Sequence, residues 1–196
     1  MADPTPLLLE RLRQQPVESD AWRRFVELYA TWLGTWVDRI IRLAGGEAAE
    51  QDQEDVVRDV LYLMAREADA GRTNGRPGGF RVLLRQTFVE CLREHVRKKD
   101  AKLDGLGEQL VQLLEPGSSL NQSWDQEHQA HVVGQLLERG RKRFTAYTWE
   151  AFRRTVLVGQ TPSHAGAEMK VTSLAVMQAR ARVLTWMRQE AEDLLT

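Results

Sequence analysis

The sequence predicts an all-α protein of two small helical domains joined by an acidic linker. Apolar residues recur three and four apart almost throughout, a spacing that keeps them on one face of a helix. No alternating run bounded by turn residues reads as a strand. Composition changes at Asp100, where acids, glycines and a serine pair replace the periodic pattern. Residues 1–99 are therefore expected as one domain, 100–125 as a flexible tether and 126–196 as a second domain.

The first periodic run carries Trp22, Phe25, Tyr29, Trp32, Leu33, Trp36, Ile40 and Leu43. Asp20 can cap its start, and Gly45-Gly46 can end it through a left-handed residue. Tryptophans at this spacing are expected in a core rather than as platforms for bases. A second helix carries Val56, Val57, Val60, Leu61, Leu63 and Met64. Residues 70–79 break the pattern with repeated glycine and proline, and Arg72 and Arg76 within them read by default as a solvated loop, with a DNA backbone contact as the alternative. A third helix begins near Phe80 and carries Leu83, Leu84, Thr87, Phe88, Cys91, Leu92, His95 and Val96. It ends in Arg97-Lys98-Lys99, cations that suit the carbonyl end of a helix.

Between Asp100 and Glu127 six acids face one base, Lys102. Glycines, Pro116 and Ser118-Ser119 add flexibility there, with a short helix expected around Glu108 to Leu114. Helices are expected again near Gln126 to Glu138 and from about Thr148 to Val158, with the basic residues Arg139, Arg141, Lys142 and Arg143 between them.

Bulk properties narrow the function classes. The chain has 196 residues, 42% hydrophobic and 28% charged, with a formal net charge of −1. Any nucleic-acid surface must therefore come from where the charges sit rather than from their sum. One cysteine, Cys91, excludes an internal disulfide and reads as a small packed residue. Met1 to Pro6 lack the features of a signal peptide, and no window approaches a membrane span of about 18 uncharged apolar residues. A cytoplasmic protein with no membrane partner is the expectation. His128 and His131 could form one edge of a metal site, but no further ligand stands at a suitable spacing. No phosphate-cradling or dinucleotide motif appears, and His95 and His164 have no signalled nucleophile. No cofactor, small-molecule substrate or enzymatic activity is expected.

The most informative stretch runs from Thr161 to Leu184. Thr161-Pro162 suits a helix start, Gly166 is small where a second helix must cross closely, Lys170-Val171 makes a turn, and Thr172 can cap the next helix. Val176, Ala179 and Val183 would face inward. This is the layout of a helix-turn-helix, whose second helix enters the DNA major groove. Lys170, Thr172, Ser173, Met177, Gln178, Arg180 and Arg182 are the candidate groove residues, with Arg139, Arg141, Lys142 and Arg143 expected nearer phosphates.

Four stretches follow one another in a recognisable order. Leu8 to Arg13 and Asp20 to Tyr29 look like the opening helices of a known family. Asp55-Val-Val-Arg-Asp-Val-Leu61 parallels D-L-V-Q-E-V-F. Phe80 to Arg85 and Arg93 to Lys99 parallel F-R-A-W-L-R and N-R-x-R-D-H-L-R-R-R. Glu168 to Val176 and Arg182 to Leu184 parallel E-L-G-x-S-x-G-A-V and R-V-L. From Pro6 to Leu195 the chain resembles the extracytoplasmic-function sigma factors of bacterial RNA polymerase, including the planctomycete variety, as a divergent member.

That resemblance implies a helical region 2, a helix-turn-helix region 4 and a role in transcription initiation. Asp55, Arg58 and Asp59 would bind the beta-prime clamp helices. Arg85, Glu90, Arg93, Arg97, Lys98 and Lys99 would face and open the −10 promoter element, and the helix-turn-helix would read the −35 element. The partners implied are polymerase core, including the beta flap, promoter DNA and an anti-sigma regulator. The departures are Arg58 and Asp59 for glutamine and glutamate, Leu83 for tryptophan, Glu90 for asparagine, Lys170 for glycine and Ala179 for arginine. The alternatives are a stand-alone helix-turn-helix regulator and a sigma-like interaction protein that does not open promoters.

Overall fold

In a computed structural model the protein is described over residues 20–69, 79–99 and 105–195. The Leu8 to Arg13 stretch, Arg72 and Arg76, and the first acids of the expected tether lie outside those residues. So do the side chains of Asp20 and Trp22. The described residues form helices α1 (Asp20–Leu43), α2 (Glu50–Asp69), α3 (Gly79–Lys98), α4 (Leu106–Leu114), α5 (Ser119–Arg143), α6 (Ala146–Phe152), α7 (Pro162–Met169) and α8 (Ser173–Leu195). A π-helical turn, Arg153–Leu157, follows α6. No strand occurs among the described residues. The expected all-α class holds.

The chain divides into two compact units, with the boundary between Gln129 and Ala130. In the first unit α1 buries Tyr29, Trp32, Leu33, Trp36 and Ile40 of the stripe that its spacing predicts, together with Val37, while Leu43 is exposed at its end. Gly45 then turns left-handed at φ 83. Its N–H donates to Arg42 and that of Gly46 to Ile41, closing the helix with two otherwise unmatched carbonyls satisfied. α2 contributes Val56, Val57, Val60, Leu61 and Met64 to the same core, and α3 contributes Leu84, Phe88 and Leu92. Cys91 is packed on α3. Burial, with help from Asp59 and Glu90, pushes its thiol up to about 12, which makes it a poor nucleophile.

The expected flexible tether is not found over 105–125. Those residues form α4 and the start of α5, and both pack on the first unit. Leu106, Leu110 and Leu113 line the inner face of α4, and Trp124 is fully buried. The Trp124 ring meets Trp32 at 4.6 Å, Trp36 at 4.9 Å and Phe88 at 5.1 Å. One turn further on, His128 stacks on Tyr29 with Nε2 3.0 Å from its hydroxyl. Ser118 caps α5 by accepting from Asn121 N–H, and the Asn121 amide donates to the Leu113 carbonyl at the end of α4. The apolar spacing within this acidic stretch outweighs its flexible composition, so the boundary falls inside α5 instead of at residue 99.

Trp124→Ala should therefore lower the stability of the first unit by about 3–5 kcal/mol, the cost of emptying a filled aromatic site. Urea unfolding followed by tryptophan fluorescence measures it. A change under about 1 kcal/mol would return 105–125 to the status of a tether.

Candidate nucleic-acid interface

The second unit positions its side chains through a tight helix pair. The Thr161 hydroxyl accepts from His164 N–H, Pro162 takes the first helical position, and α7 begins there as the sequence predicts. Thr172 caps α8 in the same way by accepting from Ala175 N–H. Between them Lys170 is left-handed at φ 57, the one non-glycine residue with positive φ among the described residues. Lys170 N–H donates to Ala167 and Val171 N–H to Gly166, the geometry usually closed by glycine. Lys170 thus takes, with a side chain, the left-handed turn conformation that glycine more often supplies.

Gly166 explains why α8 can come so close. A Cβ added there would lie 2.9 Å from the Val171 carbonyl oxygen and 3.3 Å from Ser173 N, so no side chain fits without moving backbone. Val176 and Ala179 pack on Ala151 and Ala165, with Met169 and Val171 against that cluster. Val183 is buried one turn later.

The opposite side of α8 is open. Ser173, Leu174, Met177, Gln178, Arg180, Ala181 and Arg182 are all exposed, as are Lys170 and Thr172. All seven expected groove residues therefore lie at the surface, but they do not share one face. Arg180 and Arg182 are two residues apart, about 200° around a helix, so they flank the exposed face on opposite sides. Arg182 lines a hollow of about 410 Å³ with Arg143, Phe144, Trp186 and Gln189. Leu174, which the sequence reading missed, stands in the middle of the face; its spacing from Met177, Gln178 and Ala181 was the available signal.

The expected phosphate contacts divide as well. Arg141, Lys142 and Arg143 are exposed, with the Arg143 guanidinium 5.9 Å from the Trp186 ring centre. Arg139 is instead half-buried against Glu190 at 3.1 Å. Arg153 grips Glu150 with two bonds of 2.7 and 2.8 Å, and with Arg154 it holds that carboxyl down at about 2. Arg154 also pairs with Glu168.

In the first unit the Asp55, Arg58 and Asp59 side chains lie together on the outer face of α2, with Arg58 3.0 Å from Asp55 and 3.7 Å from Asp59. The cations of α3 are less available than expected. Arg85 is only 7% exposed and points to Asp125 at 2.8 Å, which Arg81 also reaches at 3.1 Å. This corrects the expectation that Arg85 faces DNA, because α5 covers it. Arg97 is paired in two bonds with Glu94, Lys98 approaches the same carboxylate at 3.7 Å, and Lys99 pairs with Asp52. Burial alone would raise the Asp52 carboxyl, yet Lys99, His95 at 2.9 Å and the Ala49 N–H together hold it below its usual range. Glu90 and Arg93 are exposed.

Comparison with protein-family models, with curated proteins and with solved structures finds no match for this chain. No described helix is long and apolar enough to cross a membrane.

The helix-turn-helix geometry makes two opposite expectations. Gly166→Ala forces backbone apart and should destabilise the second unit by about 1–3 kcal/mol. Lys170→Gly relieves a left-handed side chain, partly offset by a freer unfolded chain, and should stabilise by about 0.5–1 kcal/mol. Thermal melts of both variants check this, and a stabilising Gly166→Ala would contradict the close crossing.

Proposed function

We propose that this chain is a sigma-like subunit of transcription initiation, a cytoplasmic protein without catalysis of its own that brings bacterial RNA polymerase core to promoter DNA. The carrying observation is the helix-turn-helix of α7 and α8, which leaves the start of α8 exposed beside Lys170 and between Arg180 and Arg182. A helix of this kind is presented to the major groove, where a positively charged surround favours phosphates. Exposed Arg141, Lys142 and Arg143 add to that surround. The partner side of the proposal is supported by the compact charged cluster Asp55, Arg58 and Asp59 on α2. The exposed apolar run Val156, Leu157 and Val158 at the π-helical turn supports it too.

One observation favours a second reading, a sigma-like protein that binds polymerase without opening promoters. On α3 Arg85 is covered, Arg97 and Lys98 share the Glu94 carboxylate, and just beyond the helix Lys99 pairs with Asp52. Glu90 adds an exposed negative charge. A surface partly neutralised in this way attracts single-stranded phosphates less strongly than unpaired cations would.

Co-elution with bacterial core RNA polymerase tests the partner. The wild type should co-elute, and the double reversal Asp55→Lys/Arg58→Glu should weaken the complex roughly tenfold or more through like-charge contacts, with circular dichroism unchanged. Unaltered binding by that variant would remove α2 as the docking face. A wild type that binds duplex DNA but not polymerase would favour a stand-alone regulator.

A further inference from the structure

The outer row of α8 combines exposed apolar side chains with a cationic frame. Leu174 is 59% exposed and Met177 49%, although large apolar side chains are usually turned inward. Leu174, Met177, Gln178 and Ala181 stand at i, i+3, i+4 and i+7, so they form one row. That row is opposite the buried row of Val176, Ala179 and Val183. Arg180 follows Met177 by three and borders one side; Arg182 follows Gln178 by four and borders the other. From Ser173 to Gln189 the helix carries Arg180, Arg182 and Arg188 and no carboxylate, which suits a polyanion better than a neutral or basic surface.

We propose that Leu174 and Met177 read thymine 5-methyl groups in the major groove, so that α8 recognises a site rich in A·T pairs. This inference rests on the DNA-binding reading above and assigns its chemistry. A helix about 10–12 Å across fills a groove about 12 Å wide, bordered on its two sides by the phosphates of different strands. Only its outermost row reaches base edges, whereas residues on opposite flanks meet opposite backbones. Arg180 and Arg182, placed on those flanks, grip phosphates and do not discriminate between bases. The thymine methyl is the apolar group that base edges offer in this groove, and it matches Leu174 and Met177. At G·C pairs the same side chains would cover polar edges without satisfying them. Gln178 completes the row with a side chain suited to the N6 and N7 edge of adenine.

The test uses the full-length chain and a randomised duplex DNA library. The selected duplex is then remade with deoxyuridine for thymidine, which deletes only the 5-methyl groups. Selected sites should share neighbouring A·T pairs, and the exchange should weaken wild-type binding about fourfold per contacted methyl. The Leu174→Ala/Met177→Ala variant should lose most of that sensitivity. Both substitutions are at exposed helix positions and favour helix, so folding is retained. Arg180→Ala and Arg182→Ala should each flatten the salt slope by about one unit without changing the preferred sequence. Thymidine and deoxyuridine duplexes bound equally well by wild type would overturn the methyl assignment while leaving DNA binding intact. So would a selected site without thymine, or a new preferred sequence for Arg182→Ala. If no duplex is selected, the DNA-binding reading itself falls, and the methyl assignment with it.

Discussion

The surface that carries the functional proposal depends on a contact in which a side chain is missing. Gly166 lets the backbone at Val171 to Ser173 pass within 2.9 Å of where a Cβ would stand, and Lys170 supplies the left-handed step that sends the chain back. Together they set the crossing of α7 and α8. With that crossing, Val176 and Ala179 pack on Ala151 and Ala165 and Val183 is buried on the same side, and by helical geometry Leu174, Met177, Gln178 and Ala181 face away. A looser turn would rotate α8 and exchange buried residues for exposed ones. The chemical character of the outer row is thus a consequence of local backbone geometry several residues away.

A second constraint governs the first unit. Trp124 fills a site made by Trp32, Trp36 and Phe88, and the helix that delivers it also delivers Asp125 to Arg81 and Arg85. Burying the tryptophan and covering the arginines are one structural event, since adjacent residues of α5 perform both. An arginine as buried as Arg85 requires a partner, because an unpaired charge there would be costly. Two acids of the expected tether are accordingly fixed partners: Asp125 binds Arg81 and Arg85 of α3, and Glu127 binds Arg39 at 2.6 Å.

These two regions show what can be read from sequence and what cannot. Helix existence was legible because three-and-four spacing is local: the α1 stripe, the Thr161-Pro162 start and the Thr172 cap all follow from neighbouring residues. The packing of α4 and α5 was hidden by composition, although Leu106, Leu110 and Leu113 and the Trp124 and His128 pair kept the helical period. The left-handed Lys170 could not be read from its identity, because lysine avoids that conformation and the surrounding contacts impose it. The fate of Arg85 was out of reach for another reason: its partner lies 40 residues away, and ion pairs of that separation leave no periodic trace. At the candidate interface the individual residues were legible, but the division of Arg180 and Arg182 onto two flanks required the helix axis to be known.

The most direct measurement of the central claim is transcription by bacterial core RNA polymerase from a library of random promoters, with and without the chain. The account predicts transcripts that depend on the chain and start at a fixed distance downstream of a shared A·T-containing element. A transcript pool indistinguishable from that of core polymerase alone would contradict it.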